Sequence, residues 1–374
     1  MSNSATLRGP AAEPWIDAGK AIASQLIVWH HLVHYGPLAP RVRVLAPRLI
    51  DWLDQRALLA VQVFLVMAGY LAARSLWPRA DQPRATLADW PRRLRQRWLR
   101  LLPLYAAALG LALLCAALAR HWMLDPDTPA APSAPQLLAH LLLLHDVLGQ
   151  PALSAGVWYV AIDLQLYAVL AGLAGVAALW RRRATAGAPL PPPLRWGEGA
   201  GLALVAGLAL ASLAWFNRQP GADLWAPYFF GSYALGVLAA WGARDTRRLV
   251  WAALLIGLAA AGLWLQWRDR LALALAVALL LLWQPARRRL AAAPWQPLLA
   301  WLAAISYALF LVHYPVSLAV NAAVLRWLPG SGAATAAAGL IASWLLSLAV
   351  AWALWRLLER HGWRRLRPAA ALKA

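Results

Sequence analysis

A chain of 374 residues with 62% apolar side chains, 13% charged side chains and a mean hydropathy of +0.55 is too oily for an ordinary soluble domain. Its net charge of +20 invites a nucleic-acid partner, yet the basic residues fall in short clusters between apolar runs and form no continuous basic face. That pattern excludes nucleic acid and fits loops beside a membrane, while a single cysteine, Cys115, excludes an intramolecular disulfide.

A membrane span needs about 20 apolar residues at about 1.5 Å rise each. In chain order that rule selects residues 16–36, 56–77, 99–119, 156–180, 197–216, 225–242, 248–266, 269–284, 299–325 and 335–359. The expectation is an all-α integral membrane protein of about ten transmembrane helices around a polar central passage. The stretch QLLAHLLLLHDVL at 136–148 is too short to cross and reads as an interfacial or re-entrant helix. The chain reads as one domain, 1–374. It has a cytoplasmic tail at 1–15 without a signal-peptide core, an external loop at 121–155, a stiff Pro-rich cytoplasmic linker at 189–195 and a basic cytoplasmic tail at 360–374. In this topology 26 lysines and arginines fall on the side of both termini and 9 on the other, so both termini are expected in the cytoplasm.

The first run carries Lys20, His30, His31 and His34 inside VWHHLVHY, a segment otherwise meant for hydrocarbon. Ionisable groups at membrane depth are costly and therefore functional candidates. Eleven residues separate Lys20 from His31, about 16 Å along one side of a helix. Gln62 in the second run and Asp163 in the fourth fall at depths similar to His31, about 8 to 10 Å from the outer end, and His313 in the ninth lies deeper, at about 18 Å. Arg93, Arg97 and Arg100 form a stripe at the cytoplasmic start of the third run. A cation stripe below and a histidine above define a conduit about 16 Å long, with arginine forks for phosphates at one end and room for a thin pantetheine arm.

Plainer readings exist for each residue. A membrane histidine more often bonds a neighbouring helix than performs chemistry, and Asp163 can serve the same purpose. The arginines can be topology anchors or lipid-headgroup contacts. His30 and His34, four residues apart, can ligate haem or a metal, but HHxxH lacks the flanking Glu of a zincin and no second histidine pair of that spacing follows. His121, His140 and His145 fall in the external loop, where solvated or interfacial positions are expected. The 24 tryptophans suit interfacial belts and packing.

Five segments resemble motifs of the acyltransferase 3 family of membrane-bound O-acyltransferases: IDAGKAIASQLIVWHH, VQVFLVMAGYL, RRLRQRWLRLLPLY, VWYVAIDLQLY and ISYALFLVHYPV. The likeness runs through essentially the whole chain, with three departures. Gln62 stands in place of an Asp, Ala68 in place of a Ser and Asp163 in place of a Glu.

The resemblance implies transfer of an acyl group, with acetyl expected, from cytoplasmic acyl-CoA to a hydroxyl of a carbohydrate or lipid-linked glycan, in a bacterial inner membrane. The lipid bilayer, acyl-CoA and the glycan are the expected partners. No tightly bound cofactor and no metal are expected. His31 would act as general base or transient acyl carrier, oriented by Asp163. Lys20, Arg93, Arg97 and Arg100 would hold donor phosphates, and His30, Gln62, Tyr307 and His313 would contact the acceptor. Gly69 reads as a packing residue. The competing class is a multi-span transporter or lipid flippase that uses the same buried His and Asp for coupling; an inactive relative serving as a scaffold is a third.

Overall fold

The computed structural model describes residues 13–77, 86–184, 199–330 and 332–359, and among them it is helical with no strand. The tails at 1–12 and 360–374 and the Pro-rich linker lie outside the described residues. Each of the ten apolar runs is helical. They correspond to α1 (Pro14–His34), α4 (Val61–Leu76), α5 (Trp90–Trp122), α7 (Val157–Ala184), α8 (Ala200–Ala214), α9 (Ala226–Gly242), α10 (Arg248–Leu265), α11 (Asp269–Trp283), α13 (Gln296–Trp327) and α14 (Ala333–Leu354). Short helices α2 (Leu38–Arg43), α3 (Pro47–Arg56), α6 (Ala134–Leu141) and α12 (Arg287–Ala291) lie between them. Proline occupies the first turn of α1, α3, α5, α6, α9 and α13, where its missing N–H costs nothing. Gly36, at φ +83°, supplies the left-handed turn from α1 into α2.

Ten spans and a polar central passage are not confirmed. Among the described residues seven helices are long and apolar enough to cross a membrane, and α1, α9 and α11 are not among them. α9 has 17 residues and α11 has 15, so at about 1.5 Å per residue they reach about 25 Å and 22 Å. α1 has the length but carries Asp17, Lys20 and three histidines. The reason is packing. α9 is buried along most of its length, including Tyr233, Ala234, Leu235 and Leu238 at 0% exposure. A helix enclosed by other helices has no lipid to match.

Two groups of helices make the bundle. One surrounds α9 with α4, α7, α8, α10 and α11; the other surrounds α13 with α1, α5 and α14. Because lipid tails are as apolar as leucine, close fit and small residues must hold such helices together. At the α4–α9 crossing a Cβ on Gly69 would overlap the Tyr233 carbonyl, and one on Gly236 would overlap the Val66 carbonyl. Both positions therefore require glycine, the packing role expected for Gly69.

The predicted interfacial helix is shorter than its apolar run. A capping box between Ser133 and Gln136 starts α6, and left-handed Leu143, at φ 58°, ends it, so residues 142–148 are turns. Leu138, Leu142, Leu144 and Leu148 face outward, an arrangement suited to the headgroup boundary. Exposed Trp215, Trp225, Trp264, Trp267 and Trp327 mark helix ends at the same side of the bundle. Trp241 instead packs inside, against Trp77 and Trp251.

Candidate functional site

α1 and α13 meet at a histidine pair. His31 Nδ1 lies 2.6 Å from His313 Nε2, and the rings are within 6° of parallel with centroids 4.8 Å apart. Parallel rings whose nearest nitrogens approach that closely cannot be stacked face to face, so the two imidazoles lie edge to edge in a shared plane. His313 Nδ1 lies 3.1 Å from the Leu309 carbonyl one helical turn earlier. A carbonyl only accepts, so His313 carries its proton on Nδ1 and turns a lone pair on Nε2 toward His31. His31 must then donate from Nδ1, which leaves Nε2 as its basic nitrogen. A backbone carbonyl thus fixes both tautomers. His313 is 0% exposed and His31 retains 7%, making His31 the member a reactant can reach.

Of the expected site residues, the structure brings His31 against His313, while Asp163 bonds Arg97. The neighbouring histidines face elsewhere. His30 Nδ1 donates to the Leu53 carbonyl at 3.2 Å, and His34 bonds Asp54 at 2.8 Å, which also binds Arg43. His30 and His34 stack at 5.2 Å, and among the described residues no group of His, Cys, Asp and Glu could hold a metal ion. His30 is 5% exposed and adjoins the His31 ring at 5.1 Å.

Asp163 belongs to a second polar centre. Arg97 Nη2 donates to both carboxylate oxygens, at 2.9 and 2.7 Å, and the guanidinium lies 4.5 Å over the Tyr167 ring. Arg97 therefore leaves the expected stripe at the mouth and turns into the bundle to the level of Asp163. Both bonds use the same nitrogen, and Arg97 Nε is buried without a partner, so the guanidinium keeps N–H groups beyond those Asp163 takes. Arg93 on the same helix also has a buried, unpartnered Nε, whereas Arg100 is exposed. Lys20 and His31 share the unbroken helix α1, about 20° apart in projection. Tyr307 donates its hydroxyl to the Leu101 carbonyl of α5 at 3.1 Å.

A cavity of about 450 Å³ opens at the end of the bundle opposite the arginine stripe. Gln62, Asp146, Trp158, Asp223, Phe229 and Arg270 line it. Gln62 is 7% exposed and accepts a 2.7 Å hydrogen bond from Ser232 at Oε1. From this cavity adjacent rings lead inward to the histidines: Phe229 to Trp158 at 5.7 Å, Trp158 to Tyr159 at 5.9 Å, Tyr159 to Phe310 at 5.5 Å and Phe310 to His313 at 6.1 Å. Burial, and then the neighbouring Asp223 charge, push the Asp146 carboxyl above its ordinary value.

His140 and His145, expected in solvated or interfacial positions, are fully buried within the protein and stack at 4.2 Å. His140 is bonded at both nitrogens, to the Gln136 carbonyl and from the Leu153 N–H. It pins the loop. His145 has no hydrogen-bond partner at either nitrogen, and burial, then His140, hold its pKa at about 3.

Sequence reasoning missed Asp146, Trp158, Asp223 and Ser232. Asp146 lies near the end of the apolar stretch 136–148 and Asp223 in the connection between α8 and α9, and nothing local says that these segments converge. Trp158 lay within a quoted motif but was counted as packing.

Neither the curated proteins nor the solved structures yielded a match. The sequence profile of the acyltransferase 3 family, an acyltransferase domain, matches residues 13–356 of the 374. With nearly the whole chain matched and helices suited to a bilayer on the page, the protein belongs to the acyltransferase 3 family and is an acyltransferase of membrane type.

Proposed function

We propose that the protein transfers an acyl group, acetyl in the simplest case, from acyl-CoA on the cytoplasmic side to a hydroxyl of a carbohydrate or lipid-linked glycan on the outer side. The observation that carries this reading is the coplanar His31–His313 pair, whose tautomers leave a basic His31 Nε2. The acceptor hydroxyl gives its proton to that nitrogen as its oxygen forms a bond to the acyl carbon. The carbon–sulfur bond breaks, and the thiolate takes up the proton to leave as the free thiol. His313 accepts from His31 Nδ1–H throughout, so it holds the ring in register and disperses the charge that His31 gains.

The donor end is assigned to Lys20, Arg93, Arg97 and Arg100, with Asp163 as the residue that positions Arg97. An arginine held at one nitrogen and unspent at the others is prepared for a phosphate or a carbonyl oxygen. The positive-inside bias supports a cytoplasmic location for the arginine-rich end and both termini. The acyl-CoA is a substrate, and no resident cofactor enters the scheme. His30 and Tyr307, each tied to a backbone carbonyl, shape the surroundings of the reacting groups.

The test is thiol release from acetyl-CoA by purified protein in lipid nanodiscs, with and without an envelope glycan fraction, read alongside incorporation of labelled acetyl. His31→Ala should abolish glycan-dependent release, and His30→Ala should retain it. Release that persists in His31→Ala would refute the assignment. Glycan transport across vesicles without thioester loss would refute the reaction class.

A further inference from the structure

The outer cavity has a chemistry of its own. Its lining carries two carboxylates, Asp146 and Asp223, and one cation, Arg270. Arg270 is already engaged. It donates to the Tyr228 hydroxyl at 2.6 Å and the Asn217 carbonyl at 2.9 Å, and lies 5.0 Å over the Tyr228 ring. Neither aspartate pairs with a lysine or arginine among the described residues. Besides Asp223, the ionisable neighbours of Asp146 are His145, 3.5 Å away and uncharged, and the neutral Tyr105 phenol. In a chain of net charge +20, the lining itself carries one net negative charge, two carboxylates against one guanidinium. Trp158 and Phe229 supply flat apolar walls suited to the C–H faces of a sugar ring. At the floor, Gln62 is more than nine-tenths buried and spends its Oε1 on Ser232. Its amide NH2 has no partner among the described residues and is left to donate to a ligand oxygen.

We infer that this cavity is the acceptor subsite, and that it takes an amine-bearing or uncharged sugar unit while rejecting an anionic one. Asp146 and Asp223 set the charge preference, the two rings stack on the sugar, and the Gln62 amide bonds a hydroxyl or ether oxygen. The chain of rings from Trp158 to His313, three steps of 5.9, 5.5 and 6.1 Å, links the cavity wall to the histidine pair. The inference rests on the acyl-transfer reading for its biological meaning, but binding is measurable without transfer.

The experiment uses full-length His31→Ala protein in nanodiscs and isothermal titration with three probes of equal length: tetraglucosamine, tetra-N-acetylchitotetraose and tetragalacturonate. At about 10 mM salt, where the Debye length is about 30 Å, tetraglucosamine should bind about tenfold more tightly than tetragalacturonate, with the neutral probe between; at about 1 M salt, where it is about 3 Å, the gap should close. Asp146→Asn combined with Asp223→Asn should erase the ranking without lowering affinity for the neutral probe. Leu58→Trp at the exposed rim should weaken all three by narrowing the opening. No binding by any probe, a ranking unchanged by the double substitution, or tightest binding of the anion overturns the inference. Charge-ranked binding in a protein whose His31-containing form transfers nothing would leave the cavity assignment standing and sink the reaction. Transfer without charge-ranked binding would do the reverse.

Discussion

His313→Ala isolates the role of the histidine pair. The wild-type His31 ring donates across 2.6 Å to His313 Nε2, and that bond keeps its proton off the reacting nitrogen. With alanine, His31 loses the acceptor that selects its tautomer and in-plane orientation, while the base itself remains. General-base catalysis contributes about 10²- to 10⁴-fold, and losing its orientation should forfeit most of the lower bound. The expected fall in kcat is therefore about 100-fold, or about 2.7 kcal/mol of barrier at about 1.36 kcal/mol per decade. A buried donor left unpaired costs about 1 to 3 kcal/mol of stability as well.

His313→Gln separates the two effects. Its amide oxygen reaches nearly as far as Nε2 and can accept from Nδ1–H, so it should recover stability and about tenfold of the lost rate. The assay is single-turnover thiol release from acetyl-CoA in nanodiscs, with KM for donor and acceptor measured separately and folding checked by thermal melt. A His313→Ala enzyme with kcat near wild type, or with its loss confined to acceptor KM, would refute the pairing argument and restore His313 to the acceptor.

Three further outcomes follow from the packing. Asp163→Asn should cost about 1 to 3 kcal/mol by leaving partly buried Arg97 without its counter-charge, whereas Arg97→Met with Asp163→Leu should regain stability and stay inactive; thermal melts and turnover of the three proteins check this, and a single variant as stable as wild type counts against the pair. Gly69→Val should lower stability by at least about 3 kcal/mol, because the new side chain has only the Tyr233 backbone to displace; a monodisperse protein with an unchanged melt would show that the α4–α9 contact is looser. His145 titrates at about 3 when folded against an ordinary 6.5. The unfolded chain therefore binds the extra proton between those values, and stability should be complete above about pH 6.5 and fall as pH drops toward about 3. His145→Leu should remove that component of the pH profile and raise stability at neutral pH, since both ring nitrogens are buried without partners. An identical acid profile in the variant would contradict this.

The sequence determined what local patterns can encode. Apolar run length placed ten helices, because a helix satisfies its own backbone and lipid demands that it do so; α1 and α13, which carry Lys20, His31 and His313, match their runs within three residues at each end. Motif spacing was enough to indicate the family. Partner choice was not local. His31 meets His313 across 282 residues, and Arg97 meets Asp163 across 66. Which of several polar groups at similar depth face one another depends on helix rotation and tilt, which are set by crossings such as Gly69 on Tyr233. The tertiary structure alone therefore moved Asp163 from histidine to arginine, buried His140 and His145, and gathered Asp146 and Asp223 from separate loops into one acidic cavity. It also let α9 fall short of a full span, because a helix enclosed by others answers to its neighbours' side chains and not to the thickness of the bilayer.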